Sequence, residues 1–152
     1  MSCGQSVNNR AGSWHWFGML WLGVLLCSTT VSADDTVVQL SMAQLESPRV
    51  QDGHLLGRGR LMCSAEHVQF RVWMAPDYLA PDQQSYILSL VENQQARLQI
   101  RLQGHGWQKA LPSESGIVRS GSESSAVFDI VAHGEQQILP GIYRLRVSGA
   151  CL

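Results

Sequence analysis

Arg97-Leu98-Gln99-Ile100-Arg101-Leu102-Gln103 places a polar side chain at every odd position and an apolar one at every even position. Successive side chains of a β-strand point to opposite faces, so this period of two puts Leu98, Ile100 and Leu102 on one face and leaves the rest for water. The same rhythm recurs on both sides. Upstream, Val38-Leu40-Met42 begin it, His54 to Cys63 follows after Asp52-Gly53, and His67-Val68-Gln69-Phe70-Arg71-Val72-Trp73-Met74 sets Val68, Phe70, Val72 and Met74 on one face. Pro76-Asp77 and Pro81-Asp82 end that strand in turns. Ser85 to Val91 is a further strand, joined to the opening one through a hairpin at Asn93-Gln94-Gln95. Downstream, Ala126 to Ala132 and Ile142 to Ser148 are strands, separated by a turn at His133-Gly134-Glu135. Gly104-His105-Gly106-Trp107 and Pro112 to Gly116 are loop or strand-edge material.

No stretch of about 12 or more residues carries a helical stripe, so the chain is expected to be all-β. About seven or eight short strands with turns every 8 to 12 residues are what a two-sheet sandwich requires, with a small barrel as the second choice.

Arg10 and the apolar run Trp14 to Leu26 precede Val31-Ser32-Ala33, which has small residues where a signal peptidase reads. Residues 1–33 are thus expected to be an export signal, with the mature domain at 34–152. The uninterrupted apolar run is short of the roughly 20 residues that span a bilayer. Lipidation at Cys27 is disfavoured by Leu26, where a small residue is expected. Of the 11 cations Arg10 leaves with the signal while all 12 acidic residues stay, so the mature formal charge is -2. Dispersed arginines and a single lysine, Lys109, argue against a nucleic-acid or anionic-membrane partner.

With Cys3 and Cys27 in the signal, Cys63 and Cys151 remain, and an oxidising compartment predicts a disulfide between them. Two free thiols or a metal site are the alternatives, but two cysteines 88 positions apart without CxxC or HxH make a poor ligand set.

Catalysis needs a constellation, and none is legible. His54, His67, His105 and His133 lack metal-ligand spacing and read as surface or turn residues. Gly121-Ser122-Glu123-Ser124-Ser125 is a turn and not a nucleophile elbow, because no glycine follows the serine. No phosphate loop or dinucleotide fingerprint occurs, so no enzyme, cofactor or metal is expected.

Gly59-Arg60-Leu61-Met62-Cys63, Phe70-Arg71-Val72-Trp73-Met74, Gly106-Trp107, Val127 to Gly134 and Pro140-Gly141-Ile142-Tyr143-Arg144-Leu145-Arg146-Val147-Ser148-Gly149-Ala150-Cys151 together resemble, in order and spacing, the AfaD-type invasin subunits of Afa/Dr adhesins. The resemblance runs from about Gly57 to the end. It implies an immunoglobulin-like subunit at the tip of a chaperone-usher surface fibre, held by a periplasmic chaperone, delivered to an outer-membrane usher, joined to the major fibre subunit by strand exchange, and engaged in host-cell attachment or entry. Tyr143 stands eight positions before Cys151, whereas the usual tyrosine corner sets the tyrosine two before the cysteine. Family members are associated with integrin recognition, but Arg-Gly-Asp is absent and Gly57-Arg58-Gly59-Arg60 is the nearest sequence. Arg58-Gly59 and Asp52-Gly53 read as turns or bulges.

Two surfaces are expected to matter. With no strand after it, the last strand needs covering, so the sandwich is read as incomplete and closed by a donor strand over Tyr143, Leu145 and Val147. Closure by the His54 to Met62 segment or the Trp107 loop is the alternative. Only Asp34-Asp35-Thr36 precede Val37, so no donor extension is expected and the subunit would stand last. Arg71 and Trp73 face away from the apolar side of their strand and are the candidate receptor contact, against a bland reading in which Trp73 covers the sheet edge. Trp107 is expected to anchor a loop or the core. The function in a second class is a free-standing periplasmic or secreted sandwich that binds a ligand or inhibits an enzyme.

Overall fold

In the computed structural model, which describes residues 36–152, the alternating segment is β6 (Arg97–Gln103), with Leu98, Ile100 and Leu102 buried. The export signal, Cys3, Cys27 and Asp34-Asp35 lie outside the described residues. On one side of β6 is β5 (Tyr86–Ser89). On the other is β9 (Ser125–Ala132), followed by β3 (Leu55–Cys63) and β1 (Thr36–Met42), every pair antiparallel. A second sheet runs β11 (Val147–Cys151), β4 (Gln69–Met74), β8 (Ile117–Ser120), β7 (Gln108–Lys109). β2 (Arg49–Val50) and β10 (Gln136–Gln137) form a short ribbon.

The period of two does what it predicts. Phe70, Val72 and Met74 of β4 and Leu61, Ile100, Phe128 and Ile130 of the larger sheet are all almost fully buried in one core. Each contributes roughly 1.5–3 kcal/mol by leaving water. Trp107 reaches this core from its loop, donating Nε1–H to the Val127 carbonyl at 2.7 Å and standing edge-on to Phe128. Cys63 and Cys151 are bonded, joining β3 of one sheet to β11 of the other, with Cα atoms 6.0 Å apart.

Three local readings change. Arg58-Gly59 is neither turn nor bulge: it lies inside β3, and Gly59 pairs with Phe128, whose ring lies so close that a Cβ on Gly59 would stand 2.0 Å from Cζ. The bulge falls between Leu55 and Gly57, while Asp52-Gly53 is a turn with Gly53 at φ 78°. The strand read from His67 begins at Gln69, and Val68, expected on the core face with Phe70, Val72 and Met74, is 76 % exposed just before it, where its backbone bonds to Leu152 and Gly121. The last strand is displaced from Ile142–Ser148 to Val147–Cys151. Its partner β4 ends at Met74 and the chain turns at once into a 3-10 turn over Pro76–Tyr78, so residues 144–146 have no ladder to join. Tyr143 makes a single bridge to Leu90.

Candidate functional site

β1 and β11 are edge strands on the same side of the sandwich, one from each sheet. They pack side by side without pairing, and no other described strand occupies the free edge of β11. Neither β3 nor the Trp107 loop closes it, since β3 lies between β1 and β9 in the other sheet and Trp107 adjoins β7 at the far edge. Alternation survives in the stretch before β11: Tyr143, Leu145 and Val147 are half-buried and packed against the core, while Arg144 and Arg146 are exposed. The expected groove residues therefore share a face, although only Val147 belongs to a ladder. Opposite them stand Val38, Leu40 and Met42 of β1, with Val38 half-buried and Met42 57 % exposed.

The resulting cleft is a wedge. At the disulfide end it is shut: a Cβ on Gly149 would stand 2.5 Å from Leu61 Cδ1 and 3.0 Å from Val38 Cγ2, and Thr36 Oγ1 lies 3.4 Å from Cys151 Sγ. Towards Pro140 it opens into a space of about 660 Å³ lined by Leu56, Leu88, Leu98, Ile138, Tyr143 and Leu145, with Met42 and Leu45 at its mouth. The Tyr143 hydroxyl donates to the Leu139 carbonyl at 3.1 Å, fixing the chain where it enters the wedge. That is the backbone bond of a tyrosine corner, made here despite the different spacing to the cysteine. Apolar walls beneath an unpaired strand edge suit an inserted extended segment, whose backbone completes a ladder and whose alternate side chains fill the space.

Arg71 and Trp73 lie on the outer face of the smaller sheet, both half-buried. The Arg71 guanidinium sits 5.0 Å from the Trp73 ring, points two nitrogens at the Ser115 carbonyl at 3.3 and 3.4 Å, and has Glu114 at 3.8 Å. Close passage of the 112–116 loop requires Gly116, at φ 94°, where a Cβ would stand 2.7 Å from that of Trp73. Beside them on the same outer face of β11 are Ser148 and Ala150, paired with Trp73 and Arg71. By alternation Arg144 and Arg146 continue this row. Neither makes an ion pair or hydrogen bond among the described residues. The alternation that turns Tyr143, Leu145 and Val147 inward is also the signal in the sequence that turns these two arginines outward.

His133 is not an isolated turn residue. Nε2 lies 3.3 Å from Asp82 Oδ2 and Nδ1 3.3 Å from Arg101 Nη1, while Arg101 also grips both oxygens of Asp52. The Arg101 hydrogen bond, helped by the Gly134 backbone N–H, pulls the Asp52 carboxyl down to about 2. Backbone N–H of Gln84 and the Ser85 hydroxyl lower Asp82 likewise. His67 is half-buried, edge-on to Phe70 with ring centroids 4.6 Å apart. Among the described residues no group of three or more His, Cys, Asp or Glu stands where it could hold a metal ion. The arrangement ties together surface turns and offers no nucleophile with its base.

Comparison with known proteins places this geometry. Residues 46–149 match the model of the enterobacterial AfaD invasin protein family. Protein AfaD of Escherichia coli is 30 % identical over 132 residues, covering 83 % of this chain and 89 % of AfaD. Among solved structures, HdaB, the minor tip subunit of the Escherichia coli Hda pilus, superposes with a TM-score of 0.70 at 30 % identity, over 76 % of this chain and 82 % of HdaB. A structure from the fibronectin-binding AAF fimbriae of enteroaggregative Escherichia coli matches at 0.68 and 34 % identity, over 77 % of this chain and 85 % of its own. With the family match running from just before β2 into the last strand, the chain belongs to the AfaD invasin family.

Proposed function

We propose that this protein is the tip subunit of a chaperone-usher surface fibre, an adhesin or invasin and not an enzyme. Residues 1–33 direct export and are removed, leaving 34–152 in the periplasm. A chaperone holds the cleft between β1 and β11 there, and at the outer-membrane usher a donor strand from the major fibre subunit replaces it over Tyr143, Leu145 and Val147. The observation that supports this most is the unpaired edge of β11 above an open apolar wedge, because such an edge aggregates unless something pairs with it. On the outer face, the stacked Arg71 and Trp73 form the contact to a host-cell surface protein, of which an integrin is the family's associated kind. An aromatic ring with a guanidinium is the composition that carries binding energy at protein interfaces.

The test is to produce the exported protein with and without a donor segment of the major subunit fused through a flexible linker after Leu152. Three inward apolar side chains at roughly 1.5–3 kcal/mol each are expected to raise the melting temperature by about 15 °C or more. A monomeric protein that gains nothing from the fusion would instead be a self-sufficient binding or inhibitor domain.

A further inference from the structure

Completion of β11 by a donor strand, the reading on which this inference rests, has a second face. Any strand laid along the free edge of β11 sends alternate side chains into the wedge and the others outward, beside the outward side chains of β11. In the open half of the wedge, along the stretch that leads into β11, the outward side chains are Arg144 and Arg146, flanking the inward Leu145. Among the described residues no carboxylate answers them: Glu114 pairs with Arg71, and neither Glu92, whose carboxylate lies against Gly141, nor Glu46, which lines the wedge, pairs with either. Side chains directly opposite on neighbouring strands stand about 4.5–5.5 Å apart, within reach of an ion pair, and like charges there repel. We infer that this subunit selects a donor strand with carboxylates at one or both of the outward positions facing Arg144 and Arg146, so that the donor reads apolar, acidic, apolar, acidic, apolar through the wedge. The pattern is the same for a parallel or an antiparallel donor, because both arginines lie on the same face. The wedge alone would accept any alternating apolar strand. The arginine pair adds a choice of partner, turning a generic groove into one that rejects a strand with lysines on its outer side.

The experiment uses the exported protein with three fused donor segments that share their inward residues and carry Glu, Gln or Lys at the two outward positions. Resistance to denaturant is expected in the order Glu, Gln, Lys, with steps of about 1.5- to 5-fold in the unfolding equilibrium per facing pair, shrinking between 0.05 and about 1 M salt as exposed charges are screened. In the double variant Arg144→Glu/Arg146→Glu the order should reverse, and in Arg144→Gln/Arg146→Gln it should flatten; both sites are exposed, so neither variant removes core packing. Equal stabilisation by all three donors in the unaltered protein overturns the choice of charge and leaves the cleft intact. Failure of all three to stabilise overturns the cleft reading itself, and this inference with it.

Discussion

Gly59→Ala offers a sharp test of the packing because its sign is diagnostic. In a strand interior, exchanging glycine for alanine stabilises by roughly 0.5–1 kcal/mol through the unfolded chain when space is available. Here the new Cβ would meet Phe128 Cζ at 2.0 Å and both flanking ring carbons within 2.5 Å. Phe128 is fully buried between the sheets and β3 is held by ladders on both sides, so neither can retreat without opening the core. Overpacking of this kind costs about 3 kcal/mol, at the upper part of the usual range, which lowers the melting temperature of a domain this size by roughly 10–15 °C. Phe128→Leu alone costs about 1–2 kcal/mol through the lost ring volume. Combined with Gly59→Ala it should recover much of the alanine penalty, giving a coupling of about 1–2 kcal/mol in a double-mutant cycle. Denaturant unfolding of the four proteins measures it. A neutral or stabilising Gly59→Ala, or additive single effects, would refute the ring-over-glycine account.

Intact mass of the exported protein should correspond to a chain starting at Asp34 with no alkylatable thiol, and Cys63→Ser/Cys151→Ser should lose roughly 4 to 5 kcal/mol, the loop-entropy value for a closure of this length. Asp52 and Asp82 are held below their ordinary range when folded, so their contribution is complete above the unfolded value near 4 and disappears as pH falls through the folded one, about 2 for Asp52. Stability followed from pH 5 to pH 2 should therefore fall less steeply in Asp52→Asn than in the unaltered protein. Arg71→Glu/Trp73→Ala should leave the far-ultraviolet spectrum and oligomeric state unchanged while lowering attachment of protein-coated beads to epithelial cells about tenfold or more. Unchanged attachment by the folded variant removes that face from the binding surface.

What the sequence made legible was whatever depends on neighbours along the chain. β6 and β9 were readable because alternation is local, and the cysteine pair because two residues allow one pairing once an oxidising compartment is assumed. The extent of the last strand was not readable, since Arg144 to Arg146 lose their ladder through the early end of β4 at Met74, some 70 residues away. Gly59 sits in an Arg-Gly-Arg that looks like a turn, and only its register with Phe128 reveals why a side chain is forbidden there. Asp52, Asp82, Arg101 and His133 come from four segments, so no spacing rule could have assembled them. That Tyr143, Leu145 and Val147 share an inward face was legible from pattern alone, because alternation persists there even where hydrogen bonding does not.

The cystine between β3 and β11 bears on mechanical load. Under the donor-strand reading, a fibre pulled by flow transmits tension through the inserted segment to β11, its neighbour in the completed sheet. An edge strand held by hydrogen bonds alone yields to such a pull by peeling, one pair after another from its free end. Cys151 anchors that end covalently to Cys63, at the end of a strand bonded on both sides by β1 and β9. Tension reaching β11 is therefore passed into β3, a strand paired on both sides, whose withdrawal would have to break two ladders together. The bond that closes the wedge at one end thus also makes the tip a place where a fibre can be pulled without unravelling its last subunit.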